Sequence, residues 1–118
     1  MKARSLAVAL LAALVALSLA PAASPTTSAS QATTVTVTMK EFKFILSKKV
    51  VRHGVVTFKL VNKGALAHDF KIAGKRSKMI ARGKTGTLRV TLTKGLKPYI
   101  CTVPGHAAAG MKGKLKVT

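Results

Sequence analysis

The chain has little of what most site chemistries require: one cysteine, Cys101, two carboxylic acids, Glu41 and Asp69, one tyrosine and no tryptophan. A lone cysteine forms no internal disulfide, which excludes a disulfide-stapled secreted scaffold and a zinc finger built on several thiolates. Two acids rule out a paired-carboxylate hydrolase and an EF-hand, and leave little for general acid/base work. No Ser-His-Asp set, phosphate-cradling glycine loop or H-E-x-x-H is present, and there is no internal repeat.

What the chain does have is apolar content and positive charge. At 118 residues and 48% hydrophobic it is one domain with an ordinary core. Its 21 Lys and Arg give a formal charge of +19. These fall largely on the polar phase of the strands described below and in the turns, so they make a solvated cationic surface. Nucleic acid is the sharper reading of such a charge. The aromatic residues that stack bases are few, however, and export removes the protein from cellular nucleic acid, so no nucleic-acid partner is expected.

Lys2 and Arg4 precede an unbroken apolar stretch from Leu6 to Leu17, followed by Ala20, Pro21, Ala22 and Ala23. This pattern predicts a signal peptide over residues 1–23. The run is shorter than the ~20 residues that span a bilayer, so no stable membrane span is expected after cleavage. No cysteine follows it to carry a lipid. Losing Lys2 and Arg4 takes the charge to about +17. Residues 24–32, rich in Ser, Thr, Ala and Pro, read as a flexible leader, and residues 33–118 as the folded domain.

Within 33–118 the pattern has period two. Val35, Val37 and Met39 alternate with threonines; Val56, Phe58 and Leu60, then Leu88, Val90 and Leu92, then Leu115 and Val117 do the same against polar partners. These are half-buried strands. Turn signals separate them at Asn62-Lys63-Gly64, Gly74, Gly83 to Gly86, Lys94-Gly95 and Pro104-Gly105. The expectation is an all-β fold, an antiparallel Greek-key β-sandwich of seven to eight strands.

The run from Tyr99 to Met111 carries the chemistry, with Cys101, His106 and Met111 at the spacing C-x4-H-x4-M. Upstream, Leu66 to Ile72 reads as a strand whose alternation puts Leu66, His68, Phe70 and Ile72 on one face and Asp69 and Lys71 on the other. Each of these residues alone has a plain structural explanation: a satisfied core histidine, an inert buried thiol, a packing methionine. Together they offer two imidazoles, a thiolate and a thioether. That is the composition of a blue-copper electron-transfer site, two histidines and a cysteine with a weak axial methionine.

With these residues in view the chain resembles the cupredoxin family, and the loop from Pro104 to Met111 looks closest to plastocyanin-like and rusticyanin-like blue copper proteins. The segment Asn62 to Phe70 is similar to the family's upstream ligand motif. The resemblance implies one copper ion held by His68, Cys101, His106 and Met111. It also implies backbone N–H groups of Asp69 and Val103 facing the Cys101 sulfur. Many relatives carry asparagine after the first ligand histidine, where its side chain ties the two ligand segments together; here Asp69 stands in that place.

The function expected is single-electron shuttling by an exported monomer, periplasmic or at the cell surface, with an acidic redox protein as partner. Four protein ligands leave no open position for a substrate, so the reading is not enzymatic. A copper carrier or buffer for delivery or tolerance would use the same ligands, and a metal-free cationic surface-binding module is the third reading.

Overall fold

The computed structural model describes residues 12–24 and 32–118. Residues 1–11 of the expected signal peptide and 25–31 of the expected leader lie outside the described residues. Residues 12–24 form neither strand nor helix, and no helix among the described residues is long and apolar enough to cross a membrane.

Nine strands are present among the described residues: β1 (Thr33–Lys40), β2 (Lys43–Leu46), β3 (Val50–Val51), β4 (Gly54–Asn62), β5 (Lys71–Ile72), β6 (Lys75–Arg76), β7 (Thr85–Leu92), β8 (Gly95–Ile100) and β9 (Lys112–Val117). They form a four-stranded sheet in the order β2-β1-β4-β7 and a five-stranded sheet in the order β3-β9-β8-β5-β6. The alternation in the sequence dictates what lies between them. Val35, Val37, Met39, Val56, Phe58 and Leu60 have no exposed surface, and Val90, Leu92, Leu115 and Val117 join the same core. Full burial of such side chains stabilises a fold by about 1.5–3 kcal/mol each.

The sandwich stands as expected, but its pairing is mixed rather than antiparallel throughout. β1 runs parallel to β4, from Thr33 opposite Val56 to Met39 opposite Asn62, and β3 runs parallel to β9. A period of two fixes which face a side chain takes and says nothing of the direction of the neighbouring strand. Parallel neighbours need a long crossover. The segment through β2 and β3 provides it by leaving one sheet and entering the other.

The strand count exceeds seven to eight because β3, β5 and β6 are two-residue pairings too short to show alternation. The expected strand from Leu66 to Ile72 survives only as β5. His68 instead makes an isolated bridge with Ile80, donating its N–H to Ile80 O (3.1 Å) and accepting from Ile80 N (2.7 Å). Asn62 is the reason. Its side-chain amide donates to Leu66 O and Ile80 O, each at 2.8 Å, and its Oδ1 accepts from Gly64 N at 2.9 Å, so the loop is tied to itself before any ladder can form.

Candidate metal centre

The site lies at the end of the sandwich where β8 runs out. Cys101 follows the last residue of β8 in the inward phase of that strand and is 1% exposed. From there to Met111 the chain winds through successive turns: His106 N donates to Val103 O, Ala109 N to Gly105 O and Gly110 N to Ala107 O. Two further bonds close the neck of this loop, Cys101 N to Met111 O and Met111 N to His106 O, both 3.0 Å. Cys101, His106 and fully buried Met111 are thereby held on one short, self-braced connection. His68 reaches the same place from the bridge with Ile80.

The four residues expected from the sequence are thus at one end of the fold, and three present their donor atoms to one point. The ligating atoms of His68, Cys101 and His106 all lie within 4.8 Å of one another, and all three residues are buried. His68 Nδ1 is 3.1 Å from His106 Nδ1, which is 3.6 Å from Cys101 Sγ. Burial pushes the Cys101 thiol up from its ordinary value, while backbone N–H groups of Asp69 and Val103 at the sulfur pull it the other way.

Two braces hold this cluster, and each uses one of the chain's two acids. Glu41, in the turn after β1, places Oε1 3.1 Å from His68 Nε2, 2.8 Å from Ala65 N and 2.6 Å from Leu66 N. The N–H donors of Leu66 and Ala65, then His68, hold its carboxyl down to about 2. A carboxylate oxygen there requires a proton on Nε2, so Nδ1 is the lone-pair nitrogen facing Cys101 and His106. Gly64 makes the approach possible, since a β-carbon on it would sit 2.6 Å from Glu41 Oε1.

Asp69 is the second brace. Alternation sends it to the face opposite His68, yet it is 1% exposed, because Oδ1 accepts from Thr102 N at 2.6 Å and Oδ2 from the Thr102 hydroxyl. Aspartate here ties the His68 segment to the residue after Cys101. Phe42 packs edge-on against the His106 ring, centroids 5.1 Å apart. His106 itself is 7% exposed, the least enclosed of the three clustered residues.

Sequence reasoning missed Glu41, Phe42 and the structural role of Asn62. Glu41 and Phe42 sit where the period-two pattern of β1 stops, and turns carry no periodicity to read. One signal was available for Glu41: it is one of two acids among 21 bases.

A two-sheet sandwich with two histidines and one cysteine converging at its end defines a cupredoxin, a type 1 copper-binding domain. The chain belongs to the plastocyanin/azurin family of copper-binding proteins, whose family model matches residues 24–118.

Among solved structures it is similar to dithionite-reduced auracyanin from Roseiflexus castenholzii, at 22% identity, 74% of this chain, 98% of that one and a TM-score of 0.62. It is also similar to auracyanin A, a "blue" copper protein of Chloroflexus aurantiacus, at 26% identity, 72% and 98% coverage and 0.59. An azurin of Methylomonas sp. strain J shares the fold at 17% identity, 73% and 98% coverage and 0.58. No curated protein matches the chain in sequence. The donor set fits the family's metal: a soft thiolate with two imidazoles suits both oxidation states of copper.

Glu41 offers a first test of how the site is held. Glu41→Ala takes the acceptor from His68 Nε2–H and two backbone amides, and copper affinity should fall about 10–100-fold, the usual effect of removing such an outer partner. Glu41→Gln keeps an oxygen there and should recover most of the loss. Competition with a chromophoric chelator reads both, and equal affinity in all three proteins would remove Glu41 from the site.

Proposed function

We propose that the chain is an exported blue copper protein that passes single electrons between redox partners, with His68, Cys101, His106 and Met111 as its copper ligands. The observation that carries this reading is the buried convergence of two imidazole nitrogens and one sulfur within 4.8 Å. When bound, copper supplies the one-electron Cu(II)/Cu(I) couple.

The residues around it do the rest. Glu41 fixes the His68 ring, Asp69 ties the His68 segment to the residue after Cys101, and the neck of the 101–111 loop bonds the Met111 backbone to those of Cys101 and His106. A cluster braced on every side changes little when an electron arrives. Burial keeps water from the sulfur, and the edge of His106 is the shortest way out for the electron. Gly105, Ala107, Ala108, Ala109 and Gly110 surround that edge with small side chains, so a partner approaches the ring closely.

The partner is an acidic redox protein. The formal charge is +19 and both acids are turned onto groups of the chain itself, which leaves a surface that attracts anionic proteins and repels basic ones. Lys2, Arg4 and the apolar run to Leu17 support export through a cleaved signal peptide to a periplasmic or cell-surface location, where the protein acts as a monomer.

Reduction and reoxidation of the copper-loaded protein should be reversible without loss of metal; copper released on reduction would instead make it a delivery protein. The rate of electron transfer to an acidic redox protein should fall steeply as salt rises, because exposed charges are screened beyond ~8 Å at physiological ionic strength. Ala108→Glu should slow it further with no change in the visible spectrum. A rate indifferent to salt and to that substitution would move docking away from His106.

A further inference from the structure

The two outer faces of the sandwich differ in kind. On the β1-β4-β7 side the outward residues are largely threonines, Thr36, Thr38, Thr57, Thr87 and Thr91 among them. The five-stranded sheet is different. Along β8 the outward row is apolar: Leu96, 61% exposed, then Pro98, then Ile100, 37% exposed. The register sets a lysine beside each, Leu96 opposite Lys116, Pro98 opposite Lys114 and Ile100 opposite Lys112, and all three lysines are exposed. On the other flank Lys71 stands opposite Ile100 and Arg76 opposite Lys71. Beyond the lysine row, Val50 pairs with Lys116 and is 53% exposed.

An apolar row therefore runs along a row of three lysines on an open sheet face, with Lys71 closing its other flank at Ile100. A hollow of about 350 Å³ opens over Pro98, Ile100, Lys112 and Lys114. Gly113 is part of how it is built: a β-carbon there would strike the Tyr99 ring, which lies across the glycine on the inner side. No acid faces Lys112, Lys114, Lys116 or Lys71, since Glu41 is bound to the His68 loop and Asp69 lies with Thr102 and, at 4.0 Å, Arg76. The opposite sheet carries cations too, Lys40, Lys43, Lys59 and Arg89, but sets them among threonines, whereas here they flank a continuous apolar row.

We propose that this face of the five-stranded sheet docks on an anionic lipid surface, with Leu96, Pro98 and Ile100 entering the headgroup boundary and Lys112, Lys114, Lys116 and Lys71 meeting lipid phosphates. The chemistry favours lipid over an acidic protein. Lysine is depleted from protein–protein interfaces, whereas its long stem lies along apolar surface while its ammonium group reaches a headgroup. A face rich in lysine with protruding aliphatic residues has the composition of an interfacial membrane surface. Docking by this face leaves the end of the sandwich that carries His106 free, so the protein is concentrated at a membrane with its electron-transfer edge unobstructed.

The test uses the copper-loaded full chain and sedimentation with vesicles of phosphatidylcholine, with and without phosphatidylglycerol. Binding is expected only with phosphatidylglycerol present. Lys112→Gln/Lys114→Gln/Lys116→Gln should lose about 100-fold in partitioning, at about five-fold for each lysine near an anionic surface. Lys40→Gln/Lys59→Gln/Arg89→Gln removes the same charge from the opposite sheet and should lose several-fold at most. Leu96→Ser/Ile100→Ser, with no change of charge, should weaken binding about ten-fold.

All variants share one N-terminus, so its contribution cancels, and all replaced residues are exposed, so the fold is kept. Equal losses in the two charge triples, absence of vesicle binding, or binding to an acidic protein by this face without vesicle binding would each overturn the proposal. The visible spectrum of the same samples reports on copper separately, so the fate of this face and that of the copper reading are read independently.

Discussion

Cys101→Ser is expected to give a folded, colourless protein. The thiolate is the one anionic sulfur donor of the proposed ligands, and charge transfer from it to Cu(II) is what makes such sites intensely coloured. A serine hydroxyl stays protonated where a thiol ionises on metal binding, so the band should vanish entirely and Cu(I) should be held far more weakly. The fold should survive. Cys101 is fully inside, with backbone N–H groups of Asp69 and Val103 at its sulfur, and a serine oxygen accepts from the same groups. The metal-free variant should therefore melt close to the parent, within about 1 kcal/mol. Absorbance and thermal denaturation check the two halves separately. A band that persists in Cys101→Ser removes Cys101 from the ligand set.

The cluster at the end of the sandwich was legible in the sequence because its residues have rare chemistry and short spacing. One cysteine, then a histidine and a methionine each five residues on, stand out against a chain of valine, threonine and lysine, and a loop of that length can only fold back on itself. His68 was legible by phase, as an imidazole on an apolar row, and it is indeed buried beside Phe70. The strands were legible wherever both faces were distinct, as in β1 and β4. Direction was not, because alternation is the same for parallel and antiparallel neighbours. Nor was Asp69: alternation sends it outward, but a side chain that accepts two hydrogen bonds from Thr102 is satisfied without water and stays inside. Glu41 was hidden for a related reason, since its partners lie 24 to 27 residues away and only the fold brings the β1 turn against the Ala65 loop.

The use of acids in this chain follows one rule. Twenty-one bases would profit from surface carboxylates, yet both acids are placed at the metal centre, where each braces a ligand segment. Glu41 collects the donors of the His68 loop, and Asp69 reaches from that loop to the residue after Cys101. Surface ion pairs contribute little, about 0–1 kcal/mol, so leaving the cationic surface uncompensated costs the fold little. Hydrogen bonds to a charged acceptor are worth more, about 1.5–3 kcal/mol, and both carboxylates accept them from backbone N–H groups.

Asp69→Ala is accordingly expected to cost the fold more than removing any surface charge. It leaves the Thr102 N–H and hydroxyl without their acceptors at a half-buried position, a loss of about 1–3 kcal/mol. In a domain of this size that lowers the melting temperature of the metal-free protein by on the order of 10 °C. Removing the carboxylate from Arg76, whose exposed guanidinium lies 4.0 Å from it, adds little. Because Thr102 directly follows Cys101, the same change frees the cysteine from its fixed place against His68, and the visible band should broaden. Asp69→Asn separates tie from charge. Its amide oxygen accepts from Thr102 N and its NH₂ donates to the Thr102 hydroxyl, so melting temperature and band shape should both return toward the parent. An alanine variant that melts with the parent and keeps its band would mean that the His68 and Cys101 segments hold their places without this tie.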